Sequence, residues 1–194
     1  MTIGLWDKLV FAMHGDRRFT QKHEDILRAN KLAAAIAFCC QGQLFMLSGE
    51  DFARTKLGVR NTYQSPLRIN RLDWKRRVRF RALAEYYRGL IALRKQLPAL
   101  CDKRETAQHR LLEESEIAPG AAAVLLDNGG GKSPYAQLMI LVNTRTDECT
   151  AHLPGDGWAV LCDGESSMLW KKPKPAPQAC VLAPLTLTLL GKMR

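Results

Sequence analysis

The stretch GEDFARTKLGVRNTYQSP, residues 49–66, concentrates hydrogen-bonding side chains between two apolar segments. Arg54 and Lys56 carry charged donors, and the amide of Asn61 both donates and accepts. Tyr63 adds a flat apolar face with a hydroxyl. This mixture suits a polyhydroxylated ligand such as a sugar, whose faces stack on rings and whose hydroxyls need both kinds of bond. The alternative is a loop that satisfies its own backbone, and the residues alone leave both open.

Other groups of potentially reactive residues give weaker indications of a catalytic or metal site. Glu50 and Asp51 are adjacent, so their carboxyl groups do not converge on one bond as an acid/base pair must. Capping of the following turn is the better interpretation for either. The four histidines are dispersed, and the six cysteines include no C-x-x-C pair. The sequence therefore predicts no metal site and no cofactor, with the cysteines reduced and mostly buried.

Two helices and a short strand are predicted to position the loop. Apolar residues recur at helical spacing from Lys22 to Cys40, and again from Lys75 to Gln96. Between them, the apolar run Leu44–Leu47 is too short for a helix and fits a strand buried on both faces, as in a parallel sheet. Such α/β units place ligands at the carboxyl ends of their strands, which is where residues 48–71 would lie.

After about residue 100 the pattern changes to short apolar segments separated by turns rich in glycine and proline. Residues 121–145 have the pattern of a hairpin, and four more strands are predicted: 149–153, 158–162, 180–183 and 186–190. The fold class is therefore α/β plus all-β, with an α/β part in residues 1–100. A small antiparallel β-sandwich is expected in residues 101–194.

The net charge of +10 is concentrated in one part of the chain. Residues 68–95 contain ten basic side chains and two acidic ones. A polyanion such as nucleic acid is one partner that this run could bind, but an exposed, solvated helix face is the favoured interpretation. No apolar run is long enough to cross a membrane, and the first residues lack the pattern of a secretory signal. With scattered thiols, this favours a cytoplasmic location without membrane or nucleic-acid partners.

A lone parallel strand has no neighbours for its backbone groups, which suggests that the α/β part belongs to a larger protein. The residues that carry a resemblance lie here: NKLAAAI at 30–36, Gln41-Gly42, GEDFARTK at 49–56, NTY at 61–63 and Asp73-Trp74. This block closely resembles the last β/α unit of type I pullulanases, which are debranching enzymes of the α-amylase superfamily (glycoside hydrolase family 13). Asp51 and Thr62 depart conservatively from the family pattern. The later segments YYRGLIALRKQLPAL, LPGDGWAVLCDG and LAPLTLTLL also resemble this family.

The resemblance implies a C-terminal fragment of a glycoside hydrolase: helix 7, strand 8 and helix 8 of a (β/α)8 TIM barrel, followed by the β-sandwich. Its substrate would be an α-glucan (pullulan, glycogen or starch), whose α-1,6-glucosidic bonds the family hydrolyses. Arg54, Lys56, Asn61 and Tyr63 would bind this glucan.

The family's catalytic Asp, Glu and Asp have no counterpart in this chain, which keeps only LWDKL at 5–9 of the last catalytic motif. We therefore expect the chain to be inactive alone and to need the missing N-terminal part of the barrel as a partner. A non-catalytic carbohydrate-binding module is the alternative, and a nucleic-acid-binding protein is a less favoured one.

Overall fold

The computed structural model describes residues 4–130 and 132–194. Its helices are α1 (Leu5–His14), α2 (Glu24–Cys39), α3 (Leu67–Asn70), α4 (Trp74–Arg79), α5 (Arg81–Arg94) and α6 (Pro98–Cys101). Its strands are β1 (Leu111–Ala118), β2 (Ala121–Asp127), β3 (Tyr135–Asn143), β4 (Cys149–His152), β5 (Trp158–Cys162), β6 (Lys174–Pro175), β7 (Ala179–Leu182) and β8 (Thr186–Met193). Short 3-10 turns lie at Glu50–Phe52, Glu105–Arg110 and Leu169–Lys171.

The chain divides into two compact units. The first takes in the residues up to 31 together with 45–87, and the second takes in 32–44 and 88–194. The predicted division into domains 1–100 and 101–194 stays a prediction. The coarser fold class is confirmed, because helices dominate the first part of the chain and antiparallel strands dominate the rest.

The core of the first unit forms around α1 and the start of α5. Trp6 packs edge-on against Phe80, with ring centroids 4.9 Å apart, and its indole Nε1 donates to the Phe19 carbonyl at 3.0 Å. The Tyr87 hydroxyl donates to Asn30 Oδ1 at 3.0 Å, so the polar end of this buried ring is satisfied. These contacts bury large aromatic area and fix the elements that carry the 48–71 loop.

The single helix predicted over Lys75–Gln96 is wrong, because the structure has two helices. α4 ends at Arg79, and the backbone of Phe80 leaves helical geometry at φ −106° and ψ 33° before α5 begins. The Phe80 side chain is 1% exposed. The break coincides with a ring that is buried against Trp6, so tertiary packing overrides the local helical pattern here.

The predicted buried strand Leu44–Leu47 is also wrong for this chain. Residues 43–47 form no strand, Phe45 is 88% exposed and Met46 is also exposed. Within the described ranges, no backbone hydrogen bond involves residues 43–46. A strand needs neighbouring strands to satisfy its N–H and C=O groups, and no described segment pairs with this one.

The second unit is built on antiparallel strands, as predicted. The larger sheet has six strands in the order β1-β2-β3-β8-β5-β6, and β4 pairs with β7 in a sheet of two strands. The predicted hairpin is the β2–β3 pair, and the four further predicted strands correspond to β4, β5, β7 and β8. Strands β1 and β6 were not predicted.

An apolar core joins the two sheets of this unit. Met139, Leu141 and Leu190 come from the six-stranded sheet. Ala151 and Leu182, from the two-stranded sheet, belong to the same cluster, as does Trp158. The alternation in CTAHL and LTLTL thus does mark strands, and in β4 it gives one buried and one exposed face.

Arg94, the last residue of α5, donates hydrogen bonds to carbonyl groups at the C-terminal end of α2. The Arg94 guanidinium donates to the carbonyls of Phe38 at 2.6 Å, of Cys40, and of Gly42 at 2.7 Å. The carbonyls of a helix C-terminus have no partner within the helix, so a basic side chain can satisfy them. The expectation that the arginines of the basic run only face solvent is therefore wrong for Arg94.

The cysteines are all free, and Cys39, Cys162 and Cys180 are buried. Burial raises the pKa of the Cys39 thiol well above its usual range, so this group behaves as a small apolar side chain. Over the described part of the chain, no helix is long and apolar enough to span a bilayer. The same residues hold no cluster of three or more His, Cys, Asp or Glu that could coordinate a metal ion.

Candidate functional site

The 48–71 loop adopts a backbone conformation that its own residues do not favour. Ala53 and Leu57 lie in the left-handed region, at φ 56° and 52°. Such a conformation costs a residue with a Cβ about 1 kcal/mol or more, so surrounding contacts must hold it. Gly58, at φ 74°, passes so close to Phe19 that a Cβ would lie 2.8 Å from Phe19 Cε2. The loop is therefore positioned by tertiary contacts rather than by local preference.

Asp7, in α1, is the main anchor of this loop. Its side chain is fully buried, and Oδ2 accepts from the backbone N–H groups of Lys56 at 2.9 Å and Gly58 at 3.0 Å. Oδ1 is also buried and has no hydrogen-bond partner in the part of the chain that the structure describes. One carboxylate thus fixes the backbone at the base of the loop. The sequence analysis noted Asp7 only as part of LWDKL and gave it no role.

Two of the four predicted binding residues hold the loop together from within. Lys56 is 7% exposed, and its ammonium donates to Thr62 Oγ1 at 2.8 Å. Arg54 donates to the Ser48 carbonyl at 3.1 Å and to the Asn70 carbonyl. The Asn70 amide in turn donates to the Thr62 carbonyl at 2.6 Å. A direct contact of Arg54 or Lys56 with a ligand stays a prediction, whereas their contacts to the loop itself are present.

The other two predicted residues are free to meet a ligand. Asn61 and Tyr63 flank the buried Thr62, and Tyr63 is 69% exposed. Neither side chain makes a hydrogen bond to any residue that the structure describes. Because Thr62 is held between Lys56 and Asn70, its two neighbours project from a fixed stretch of backbone. An aromatic ring and an amide on a fixed support form the part of the loop best suited to a sugar.

Trp74 is a candidate that the sequence analysis missed. Trp74 follows the 48–71 loop and is 62% exposed despite its large apolar side chain. The centroid of its ring lies 5.5 Å from that of the buried Phe52. In the sequence, only its position directly after Asp73 could have indicated Trp74. The Asp73 carboxylate caps α4 by accepting a hydrogen bond from the Lys75 N–H. An exposed indole supported from one side is a surface on which a flat ligand can stack.

Glu50 and Asp51, the two adjacent carboxyl groups of the loop, are both half-buried. Burial raises the pKa of both carboxyl groups, and hydrogen bonds from the backbone of Leu47 and Leu5 oppose this in Glu50. The Glu50 carboxylate accepts from the Leu47 N–H at 3.3 Å. The predicted capping of the following turn is wrong for Glu50, because its carboxylate accepts from an N–H that precedes it, and the 3-10 turn Glu50–Phe52 has no side-chain cap.

No model of a known protein family matches the chain. Among characterised proteins, the pullulanase of Bacillus subtilis strain 168 is 35% identical over 160 residues, which cover 81% of this chain and 21% of that protein. Among solved structures, pullulanase from Bacillus acidopullulyticus superposes with a TM-score of 0.87 at 24% identity, over 98% of this chain and 23% of its own.

Two further structures agree at higher identity. The type I pullulanase of B. subtilis 168 in complex with maltose gives a TM-score of 0.84 at 29% identity, over 97% of this chain and 26% of its own. The apo pullulanase of Paenibacillus barengoltzii superposes with a TM-score of 0.83 at 30% identity, over 100% of this chain and 28% of its own. The chain thus spans about a quarter of the length of the pullulanases that it matches. In sequence and in structure it is a homologue of one part of the pullulanases, consistent with their C-terminal part.

Proposed function

We propose that this chain is the C-terminal part of a pullulanase-type debranching glycoside hydrolase. In this proposal α2 and α4–α5 correspond to helix 7 and helix 8 of a (β/α)8 barrel. Residues 44–47, which form no strand in this structure, would become strand 8 only when barrel strands outside this chain pair with them. The strands from β1 onward form its C-terminal β-sandwich. The observation that carries the proposal is the fixed loop with Asn61 and Tyr63 free beside Thr62, in a chain homologous to pullulanases over most of its length.

The side chains of the loop fit an uncharged α-glucan such as pullulan, glycogen or starch. Tyr63 would stack on a sugar ring, and Asn61 would exchange hydrogen bonds with sugar hydroxyls. Arg54 and Lys56 would act by keeping this stretch of backbone in place. The proposal needs no metal and no cofactor.

Hydrolysis itself would depend on carboxyl groups outside this chain. A retaining glycosidase needs two carboxyl groups on opposite sides of one glycosidic bond, about 5 Å apart. We assign no catalytic residue to this chain. The N-terminal part of the barrel would supply the nucleophile, the acid and the orienting carboxylate, so we propose that the chain alone does not hydrolyse glucan.

A chimera tests this function directly. We expect a B. subtilis pullulanase in which this chain replaces the matching segment to release reducing ends from pullulan. The same measurement on the purified chain alone should give no more than a mock preparation. The reason is that the closing elements and the catalytic carboxyl groups meet only in the assembled protein.

The control is the B. subtilis enzyme with the segment deleted, which should be inactive. A chimera that folds but cannot hydrolyse pullulan would contradict the proposed function. If the chain nevertheless bound glucan, a non-catalytic carbohydrate-binding module would be the better interpretation. Activity of the chain alone would show that its own carboxyl groups perform the reaction.

The loop variants Tyr63→Ala and Asn61→Ala test the binding residues within the chimera. Each should lower kcat/KM on pullulan about tenfold, because a lost stacking or hydrogen-bonding contact is worth about 1–1.5 kcal/mol. Gln64→Ala is the matched control, since it removes an exposed amide from the same loop. Unchanged kcat/KM in both variants, or an equal loss in Gln64→Ala, would show that this loop does not bind the substrate.

A further inference from the structure

A cavity of about 370 Å³ in the first unit is lined mainly by cationic side chains, and we call it the basic pocket. Its basic residues are Arg54, Arg68, Arg71, Lys75, Arg76 and Arg79. Asp73 is the one acidic residue in its lining as described. Five of the ten basic residues in the run 68–95 therefore meet Arg54 around one cavity instead of spreading over one helix face.

Two of the guanidinium groups are fixed over a single aromatic ring. Arg76 is 7% exposed; its central carbon lies 4.7 Å from the Phe80 centroid, and its Nε donates to the Ala53 carbonyl at 2.8 Å. The central carbon of Arg79 lies 5.7 Å from the same centroid, and Nη1 donates to the Thr20 carbonyl at 2.9 Å. The protein thus holds two like charges close together and in defined positions.

These charges form no ion pair within the protein as described, although the nearby carboxylates of Asp7 and Asp73 partly offset the charge of Arg76. In residues 4–130 and 132–194, none of the six basic side chains forms an ion pair, and the Asp73 carboxylate accepts from the backbone of Lys75. Burial, and after it the charge of Arg79, lowers the pKa of Arg76 to about 10. Arg54 Nε is buried without an acceptor. The unneutralised charge disfavours the empty pocket, and a bound anion would offset it.

We propose that the basic pocket binds a phosphate-sized oxyanion, either free phosphate or the phosphoryl group of a sugar phosphate. Guanidinium groups match such anions well, because their donors form a planar fork that can bind two oxygens at once. Arg54 and Arg76 each use only part of their five donors within the protein. The volume is within the range of small-ligand sites, and an uncharged glucan would leave the charges uncompensated.

Calorimetric titration of the full chain with inorganic phosphate and with glucose 6-phosphate tests this proposal. We expect saturable binding, weakened tenfold or more in the double variant Arg68→Gln/Arg79→Gln. A hydrogen bond to a charged group is worth about 1.5–3 kcal/mol, which is tenfold or more in affinity. Both side chains are exposed, so the variant should keep its fold, and its circular dichroism spectrum and Tm check this. Arg17→Gln is the control, because it removes an exposed charge outside the pocket.

Comparison of the two ligands shows whether the pocket binds free phosphate or a sugar phosphate. Tighter binding of glucose 6-phosphate than of phosphate identifies a sugar phosphate, and equal binding identifies the free anion. Absence of binding by both ligands at about 10 mM, or an equal loss in Arg17→Gln, would overturn the proposal. So would a single-stranded oligonucleotide that binds with a steep salt dependence and is not displaced by phosphate. The result does not depend on the proposed hydrolysis, because glucan is absent from the assay.

Discussion

Asp7→Ala is expected to lower the free energy of unfolding by about 2–5 kcal/mol, because it removes the acceptor of two buried N–H groups. These are the N–H groups of Lys56 and Gly58, both bound to Oδ2. Leaving a buried donor unsatisfied costs about 1–3 kcal/mol, and the left-handed backbone at Leu57 loses its support as well. Urea denaturation followed by circular dichroism measures the change.

Two further variants make this result specific to the contact. Asp7→Asn keeps one acceptor oxygen, so its loss should be smaller than that of Asp7→Ala. Asp147→Ala is the control, since its carboxylate is 61% exposed and pairs with Arg145 at the surface. An exposed ion pair contributes about 0–1 kcal/mol. If Asp7→Ala changed stability no more than Asp147→Ala does, the carboxylate would not be the anchor of the loop.

Arg94→Ala should be similarly damaging, with a loss of about 3–5 kcal/mol. The side chain donates to three carbonyls at the end of α2, those of Phe38, Cys40 and Gly42. Hydrogen bonds from a charged donor are worth about 1.5–3 kcal/mol each, and three that share one side chain are not fully additive. Denaturation of the variant measures the total, and amide hydrogen exchange near residue 42 should rise because that segment loses its tether.

The variant Arg94→Lys tests whether the planar guanidinium group or only the positive charge stabilises the end of α2. A lysine keeps the charge but has a single flexible ammonium in place of the planar fork, so it should recover only part of the loss. Arg81→Ala is the matched control, because it removes an exposed arginine from the first position of α5. An effect of Arg94→Ala no larger than that of Arg81→Ala would mean that the carbonyls are satisfied by solvent instead.

The local hydrophobic pattern was sufficient to predict the helices and strands in which apolar residues recur at regular spacing. The helix predicted over Lys22–Cys40 is found at Glu24–Cys39, and the alternating or continuous apolar segments after residue 120 are strands. Strand β1 was missed because its centre, Glu113-Glu114-Ser115-Glu116, is polar and exposed and has no apolar alternation. It lies at the edge of the six-stranded sheet, where charged side chains are common.

The errors arise where distant residues decide the local structure. The break at Phe80 coincides with its packing against Trp6, and residues 44–47 have no paired strand among the residues that the structure describes. Residues 48–71 do connect α2 to α4, as predicted, but the strand expected to precede them is absent, and their role as a site stays a prediction. The internal roles of Arg54 and Lys56 were not predicted, because they depend on Thr62, Asn70 and an aspartate 49 residues away from Lys56.

Residues 43–46 make no main-chain hydrogen bond to any other residue that the structure describes, and the phenyl ring of Phe45 among them is almost wholly exposed to water. Such a segment is a template on which a foreign strand can be added one hydrogen bond at a time. In the proposed barrel, strands outside this chain would pair with this segment. Without them, two copies of the chain could pair through it, so we expect self-association to increase with protein concentration.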